Sequence, residues 1–183
     1  MTEQQGSSVQ RKRNEYIDLR RQYEPRTVKL AIVAESPPAS GLYFYNPTGL
    51  VSEPLFLALM KQLHVTPKTK AEGLRAFQEN GWVLVDATYE PVNKLTDAGR
   101  NGIIQRDYGL LREDLTTLMP DRRTPLTLIK TNVCRILEPK LVADGFNVLN
   151  RGRAIPFPSS GQQNAFSRIF ATVVHEVRDS ART

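Results

Sequence analysis

The chain contains 183 residues, of which 40% are hydrophobic and 24% are charged. That length can bury a substantial core, but it is too short for two domains of ordinary size. The single cysteine, Cys134, excludes an internal disulfide and any cysteine-based metal cage within one chain. No apolar run approaches the roughly 18 residues of a membrane span, and the polar start lacks a signal-peptide core. We therefore expect a cytoplasmic protein without membrane contact.

A formal net charge of +6 and an isoelectric point near 9.6 favour a polyanionic partner. The physical reason is that clustered lysine and arginine side chains release counterions from nucleic acid on binding. The basic residues are unevenly distributed, with clusters at 11–13, at 20–21, and at Arg151 and Arg153. This distribution predicts a nucleic-acid partner, although a merely solvated basic surface has the same composition.

Four short apolar segments are typical of buried strands: residues 28–34, 82–85, 126–129 and a segment between 146 and 155. Because predicted helices separate these segments, the pattern indicates a three-layer α/β/α sandwich with a mostly parallel central sheet of about four strands. We expect this single domain over residues 25–183. Residues 1–24 are predicted to form a basic tail that ends in a short helix over 14–23.

The remaining helices are predicted from apolar residues at helical spacing and from their boundary residues. One opens at Ser52-Glu53-Pro54, and the next opens at Thr66-Pro67 and ends at Asn80-Gly81. Further helices are predicted over 100–118, 132–137 and 165–177.

Two predicted strands run into loops of proline and small polar residues. Residues 28–34 continue into Glu35-Ser36-Pro37-Pro38, and a second apolar stretch continues into Phe157-Pro158-Ser159-Ser160. Parallel sheets present their sites at the carboxyl ends of the strands. We therefore expect Glu35, Asp86 and Ser159 to lie at one sheet edge, around a common pocket.

Three segments together resemble the uracil-DNA glycosylase superfamily over most of the span from Lys29 to Phe170. Ala34-Glu35-Ser36-Pro37-Pro38 resembles the Gly-Glu-Ala-Pro-Gly motif of several glycosylase families. Residues 83–94, with Pro91 and Asn93 near their end, resemble the second-strand segment of the superfamily. Phe157-Pro158-Ser159-Ser160 resembles its His-Pro-Ser loop. The chain is identified on these motifs as a divergent member with substituted site positions.

The resemblance implies a catalytic role for Glu35, which takes the position of the acid that activates water. Such enzymes flip a nucleotide out of the stack, hold the base against an aromatic ring and cleave the N-glycosidic bond. Tyr43, Phe44 and Tyr45 are the candidates for the stacking ring, and Phe44 is our first choice. Asn93 and Phe157 complete the expected base-binding set. The alternatives are that Glu35 caps a neighbouring helix and that the aromatic residues only pack their loop.

Two positions depart from the superfamily pattern. Asp86 stands where an asparagine reads uracil, and an ionised carboxylate can only accept hydrogen bonds. Asp86 therefore suits a base edge with an amino group, or it serves as a second catalytic acid. Phe157 stands where a histidine donates a hydrogen bond to the departing base, and loss of such a donor costs about 3 kcal/mol. Phe157 either stacks on a base or fills the gap.

Contacts with the DNA backbone are expected from four residues near the last helix. Ser159 and Ser160 are predicted to cap that helix, whose backbone N–H groups suit a phosphate. Arg151 and Arg153 are predicted to contact DNA directly. His64 and His175 are too far apart in sequence to suggest a metal pair, and the chain contains none of the usual nucleotide-binding glycine motifs, so we expect no metal and no cofactor.

The sequence therefore predicts a monomeric, DNA glycosylase-like protein that acts on a deaminated or modified base in DNA, either single-stranded or lesion-containing. Two alternatives remain at this point. The first is a catalytically silent nucleic-acid-binding module of the same fold, which the loss of the usual asparagine and histidine favours. The second is a hydrolase of a small nucleoside or nucleotide.

Overall fold

The fold is built around a three-stranded sheet whose strands are all parallel. A computed structural model describes the backbone of residues 2–180 and the side chains of residues 10–179. Strand β1 spans Leu30–Ala34, β2 spans Trp82–Asp86 and β3 spans Leu126–Leu128, in the order β2-β1-β3. The pairing of Ala34 with Asp86 aligns the carboxyl ends of β1 and β2.

Seven helices surround this sheet in the described part of the chain. They are α1 (Thr2–Arg21), α2 (Pro54–Leu63), α3 (Lys70–Glu79), α4 (Asp97–Arg106), α5 (Tyr108–Leu118), α6 (Thr131–Ala143) and α7 (Gln163–Ser180). Helix α2 begins as predicted, with Pro54 in its first turn. The Thr66-Pro67 start predicted for α3 was wrong, because Thr69 is the N-cap and its hydroxyl accepts a hydrogen bond from the N–H of Glu72 at 3.2 Å.

Helices cover both faces of the sheet, because every residue of β1 is buried and its side chains alternate between the faces. Leu30 and Ile32 pack in a core with residues of α2, α3 and α7. Ala31 and Val33 pack in a second core with residues of α4, α5 and α6. The chain is therefore an α/β sandwich of three layers, as the sequence pattern predicted.

Three helix predictions were wrong in their extent. Helix α1 begins at Thr2, so the predicted polar tail is helical from that residue, and Met1 lies outside the described residues. The predicted helix over 100–118 is two helices that meet at Asp107, whose carboxylate accepts a hydrogen bond from Thr88 Oγ1 at 2.6 Å. Helix α6 extends to Ala143 and continues through Pro139, because Leu137 and Leu141 are both fully buried in the core.

The predicted fourth strand is present only as two isolated parallel bridges at the edge of β3, formed by Val148 and Ile155. Between these bridges the buried amide of Asn150 takes the place of strand backbone. Its Oδ1 accepts from the N–H of Leu128, and its Nδ2 donates to the Leu128 carbonyl, both at 3.0 Å. A side chain therefore satisfies the edge of β3 where a regular strand was expected.

Candidate functional site

The carboxyl ends of the three strands bring together Glu35, Asp86 and Lys130. Glu35 directly follows β1, Asp86 is the last residue of β2, and Lys130 lies two residues after β3. The carbonyl of Glu35 accepts a hydrogen bond from the N–H of Thr88 at 3.2 Å, which extends the pairing of β1 and β2 past the strand end. The backbone at this edge is therefore held by the sheet itself.

A cavity of about 450 Å³, which we call the apolar cavity, opens above this edge. Most of its lining is apolar and comes from the loop after β1 and the start of α2. It contains most of the site residues predicted from sequence: Glu35, Tyr43, Phe44, Asp86, Asn93, Phe157 and Ser159. Its volume lies within the range of small-molecule pockets.

Glu35 is 8% exposed, and its carboxylate is held from the side of the sheet that α4 and α6 cover. Its Oε2 accepts a hydrogen bond from Lys130 Nζ, and its Oε1 accepts one from Asn132 Nδ2 at 2.7 Å. Arg100 Nη1 lies 4.0 Å from the same Oε1. Two cations and an amide thus compensate the charge of this carboxylate, which caps no helix.

The backbone of Lys130 is strained where the chain leaves β3 and enters α6. Its φ is 86°, in a region that side chains rarely adopt, at a typical cost of about 1–3 kcal/mol. Two backbone hydrogen bonds hold this conformation: the N–H of Lys130 donates to the Ile155 carbonyl at 2.7 Å, and its carbonyl accepts from Cys134 at 3.0 Å. These two hydrogen bonds thus hold the strained backbone of Lys130, whose side chain donates to Glu35.

Asp86, unlike Glu35, is buried without a full set of hydrogen-bond partners. It is 4% exposed, and neither its Oδ2 nor the hydroxyl of Tyr43, which is 2% exposed, has a hydrogen-bond partner in the described part of the chain. Burial raises the pKa of Asp86 to about 7, against opposing effects of the Arg20 charge and of the neighbouring Tyr43 hydroxyl. Burial also raises the pKa of Tyr43 well above its ordinary value, so its hydroxyl keeps its proton. Two residues of the cavity wall therefore carry buried polar atoms without hydrogen-bond partners, which is an unfavourable state that a further hydrogen bond would relieve.

The aromatic side chains of the cavity are fixed by their packing. Phe44 contacts Tyr45, Phe77 and Phe56, with ring centroids 5.0, 5.2 and 5.7 Å away. Phe157 is half-buried and packs on the same core. Phe44 therefore forms a rigid wall of the cavity, and its packing role and a stacking role are compatible.

Asn93 connects the two loops that form the rim of the apolar cavity. Its Oδ1 accepts a hydrogen bond from the N–H of Ala39 at 2.9 Å, and the N–H of Val92 donates to Ser36 Oγ at 3.3 Å. The carbonyl of the Asn93 amide is thus used to hold the loop after β1. This contact shapes the cavity that Asn93 lines.

A second cavity, of about 470 Å³, adjoins the first, and we call it the basic cavity. Its lining includes Arg100 from α4 and Arg135 from α6, together with the first residues of α6. The two cavities share Lys130, Phe157 and Ser159 as a common wall. A ligand with an apolar ring and an anionic group would be able to occupy both.

Three of the predicted DNA contacts lie outside both cavities. Ser160 is exposed in the turn before α7, and Arg151 is exposed and donates to the Val148 carbonyl at 3.2 Å. Arg153 is paired with Glu176 of α7 at 3.0 Å. Arg20, in the N-terminal basic cluster, is 2% exposed and unavailable to a phosphate.

The predicted capping of the last helix by Ser159 and Ser160 was wrong. Helix α7 begins at Gln163, and the carbonyl of Gln162 accepts its first intrahelical hydrogen bond, from Phe166 at 2.9 Å. The serines instead form the preceding turn, in which the carbonyl of Ser159 accepts from the N–H of Gln162 at 2.9 Å. Ser159 still lines both cavities from this turn.

Four residues of the site were not singled out from the sequence: Arg100, Lys130, Asn132 and Arg135. A signal for two of them was present, because Lys130-Thr131-Asn132 follows the third apolar strand in the same way that Glu35 follows the first. Arg100 and Arg135 lie inside helices, where sequence alone does not indicate the direction of a side chain.

The described residues contain no group of three or more His, Cys, Asp or Glu side chains placed to hold a metal. Among the helices of this described part of the chain, none has both the length and the apolar character that crossing a membrane requires. The fold and site define an α/β protein with a buried, charge-compensated carboxylate between an apolar and a basic cavity. Comparison with protein-family models and with curated proteins finds no match for this chain.

Proposed function

We propose that this protein is a divergent member of the uracil-DNA glycosylase superfamily that binds DNA and hydrolyses the N-glycosidic bond of a deaminated or modified base. The observation that carries the proposal is the apolar cavity, whose lining brings Glu35, Asp86 and Tyr43 together beside the Phe44 ring. A base would enter between the aromatic wall and these groups. Its sugar would then lie at the mouth, near Glu35.

Glu35 would orient the attacking water and stabilise the cationic sugar of the transition state. A carboxylate has about four lone-pair sites, and Lys130 and Asn132 use two of them. A water molecule can therefore be held by the remaining sites. Because Lys130 compensates the carboxylate charge, we assign Glu35 mainly to water orientation rather than to proton abstraction, and its electrostatic stabilisation of the cationic sugar is reduced by the same pairing.

Asp86 would read the base edge in a manner that depends on its proton. A neutral carboxyl group presents one O–H donor and one carbonyl acceptor, the same pair as an asparagine amide. With a pKa of about 7, Asp86 has its neutral and ionised forms in similar amounts at neutral pH. The neutral form suits the carbonyl and N–H edge of a uracil-like base, and the ionised form suits an edge with an amino group.

Lys130 would supply the hydrogen bond that Phe157 cannot donate to the departing base. Of the described side chains, Lys130 is the only cationic one that lines both cavities. An ammonium group at this wall can stabilise negative charge on a base oxygen as the bond breaks. This assignment explains how base release would proceed without the histidine of related motifs.

The test is base release from single- and double-stranded oligonucleotides that each contain one lesion, followed by alkaline cleavage of abasic sites. We expect wild-type protein to release at least one deaminated base, and Glu35→Gln to lower the rate about 10²–10⁴-fold with little change in DNA affinity. Glu113→Gln is the matched control, because Glu113 is exposed on α5 and outside both cavities. Undiminished release by Glu35→Gln would contradict the proposal.

A catalytically silent DNA-binding module is the second candidate. The hydrogen bonds that the Glu35 carboxylate accepts from Lys130 and Asn132 favour it. Both carboxylate oxygens are already hydrogen-bonded, as they would be in a purely structural residue. Tight binding of lesion-containing DNA without release of any base, by wild type and Glu35→Gln alike, would select this candidate.

A further inference from the structure

The basic cavity has the composition of an anion site. Arg100, Lys130 and Arg135 contribute three cationic side chains to its lining, and Asp97 contributes one carboxylate. The Asp97 side chain is 90% exposed and lies 3.7 Å from Arg100 Nη1, so it can turn into solvent when an anion enters. Glu35, which lies 4.0 Å from Arg100 Nη1, is paired with Lys130, so the three cations face two carboxylates. The cavity therefore has a net positive charge.

The two arginines differ in how firmly they are held. Arg100 Nη2 donates to the Leu95 carbonyl at 3.3 Å, which fixes the guanidinium, while its buried Nε has no acceptor among the described residues. Arg135 is exposed and forms no ion pair with any residue that the structure describes. The exposed guanidinium of Arg135 is therefore the main donor for an anion in this cavity, and the fixed guanidinium of Arg100 adds positive charge beside it.

The start of α6 adds backbone donors to the same place. Helix α6 has 13 residues, and within the described chain no side chain caps its N-terminus. Thr131 and Asn132, in the first turn, line the basic cavity. The unpaired N–H groups of a helix start and the helix dipole both favour a negative group.

We propose that the basic cavity is a phosphate subsite, formed by Arg100, Arg135 and the first turn of α6. It takes the phosphate of a nucleotide whose base lies in the apolar cavity, and this assignment of the base rests on the proposed function. The shared wall of Lys130, Phe157 and Ser159 places the two subsites side by side, as the base and phosphate of one nucleotide require. A planar, bidentate guanidinium is well matched to phosphate oxygens.

The first test measures the affinity of the protein for a single-stranded 13-nucleotide oligothymidylate that contains one central deoxyuridine, at several salt concentrations. We expect Arg135→Gln to weaken binding about tenfold and to reduce the salt slope by about one. Arg75→Gln is the matched control, because Arg75 is an exposed helical arginine that lies outside both cavities. Arg135→Lys should restore the salt slope but not the full affinity. An unchanged slope in Arg135→Gln, or an equal loss in Arg75→Gln, would overturn the proposal.

The second test identifies the source of the phosphate, which is either a nucleic-acid strand or a free nucleotide. Calorimetry compares the binding of deoxyuridine with that of deoxyuridine 5′-monophosphate. If a free nucleotide is enough, the monophosphate should bind more tightly than the nucleoside, and Arg135→Gln should abolish this difference. If only the oligonucleotide responds to Arg135→Gln, the group is a backbone phosphate. No response with either ligand would overturn the subsite. Because both tests measure binding, a failure of base release leaves their outcome unaffected.

Discussion

At the scale of single residues, the site consists of two buried carboxyl groups with opposite surroundings. Glu35 faces two cations and an amide, whereas burial dominates the surroundings of Asp86 and leaves one of its oxygens without a hydrogen-bond partner among the described residues. Environments that differ in this way assign different roles to two otherwise similar acids. The charge-compensated Glu35 suits the reacting end of a ligand, and Asp86, whose pKa is about 7, suits recognition of a polar edge.

The protonation of Asp86 predicts a specific loss of stability as the pH rises. Burial raises its pKa from 3.8 to about 7 in the folded protein, so the folded protein keeps a proton that the unfolded chain has lost. The resulting stabilisation is fully present below pH 4 and is lost as the pH rises through 7. Relative to Asp86→Asn, we expect wild type to lose about 2–3 kcal/mol of unfolding free energy between pH 5 and pH 8.

Urea unfolding of both proteins at pH 5, 6, 7 and 8 measures this difference. The comparison cancels the other titrating groups, except those coupled to Asp86: Tyr16, Arg20, Tyr43, Tyr45, Tyr89 and Asp114. Of these, the tyrosines stay protonated over this range, since their pKa values are raised. Parallel stability curves for wild type and Asp86→Asn would show that Asp86 titrates normally in the folded protein.

At the scale of elements, α2 and α3 approach each other closely at Gly73. A Cβ built on Gly73 would lie 2.5 Å from Phe56 Cζ and 2.9 Å from Met60 Sδ, both in buried side chains of α2. The same helix pair carries Phe56 to the wall of the apolar cavity. The absence of a side chain at Gly73 thus sets the position of α2, and with it one wall of the site.

Gly73→Ala is expected to destabilise the protein by about 1–2 kcal/mol. Overpacking against Phe56 and Met60 costs about 1–3 kcal/mol, and the better helix propensity of alanine returns up to about 1 kcal/mol. Gly102→Ala, in α4, is the matched control, because a Cβ there meets nothing within 4 Å. Gly102→Ala should therefore stabilise by up to about 1 kcal/mol. Thermal and urea unfolding that show the same sign for both variants would exclude a close contact at Gly73.

At the scale of the whole molecule, α1 is anchored to the body by a buried ion pair. Arg20 donates to both carboxylate oxygens of Asp114 in α5, at 2.6 and 2.7 Å, and to Tyr89 Oη at 2.8 Å. Tyr16, on the same helix, packs on Tyr43 with ring centroids 4.6 Å apart. Helix α1 therefore packs against the part of the molecule that contains Tyr43, Tyr89 and Asp114.

Arg20→Met should cost about 3–5 kcal/mol of unfolding free energy, because it removes both guanidinium donors of the Asp114 carboxylate and leaves it, within the described chain, only the long 3.5 Å contact from Tyr89 Oη. The double variant Arg20→Met with Asp114→Leu should recover most of this loss, since an apolar pair carries no desolvated charge. Arg21→Met is the control: its side chain is 67% exposed, and its loss should change stability by less than about 0.5 kcal/mol. Equal stability of the two Arg20 variants in urea unfolding would contradict this account of the anchor.

The sequence by itself determined the three strands, the loops that follow them and the sandwich class. These features depend on local patterns, since buried apolar runs and prolines act over a few residues. The same patterns did not locate the break at Asp107 or the amide of Asn150 at the sheet edge, because the hydroxyl of Thr88 and the backbone of Leu128 lie far from them in sequence. Element boundaries that depend on such contacts were therefore wrong.

Only the tertiary structure decided how the site residues are paired. Glu35 meets Lys130 and Asn132 across 95 and 97 residues of chain, and no spacing rule relates positions so far apart. The protonation of Asp86 depends on how completely α1 and the loop after β1 exclude water, and the availability of Arg135 depends on which face of α6 is left uncovered. Burial and charge compensation are properties of the packed molecule, which is why the sequence predicted Glu35 and Asp86 as site residues but not their surroundings.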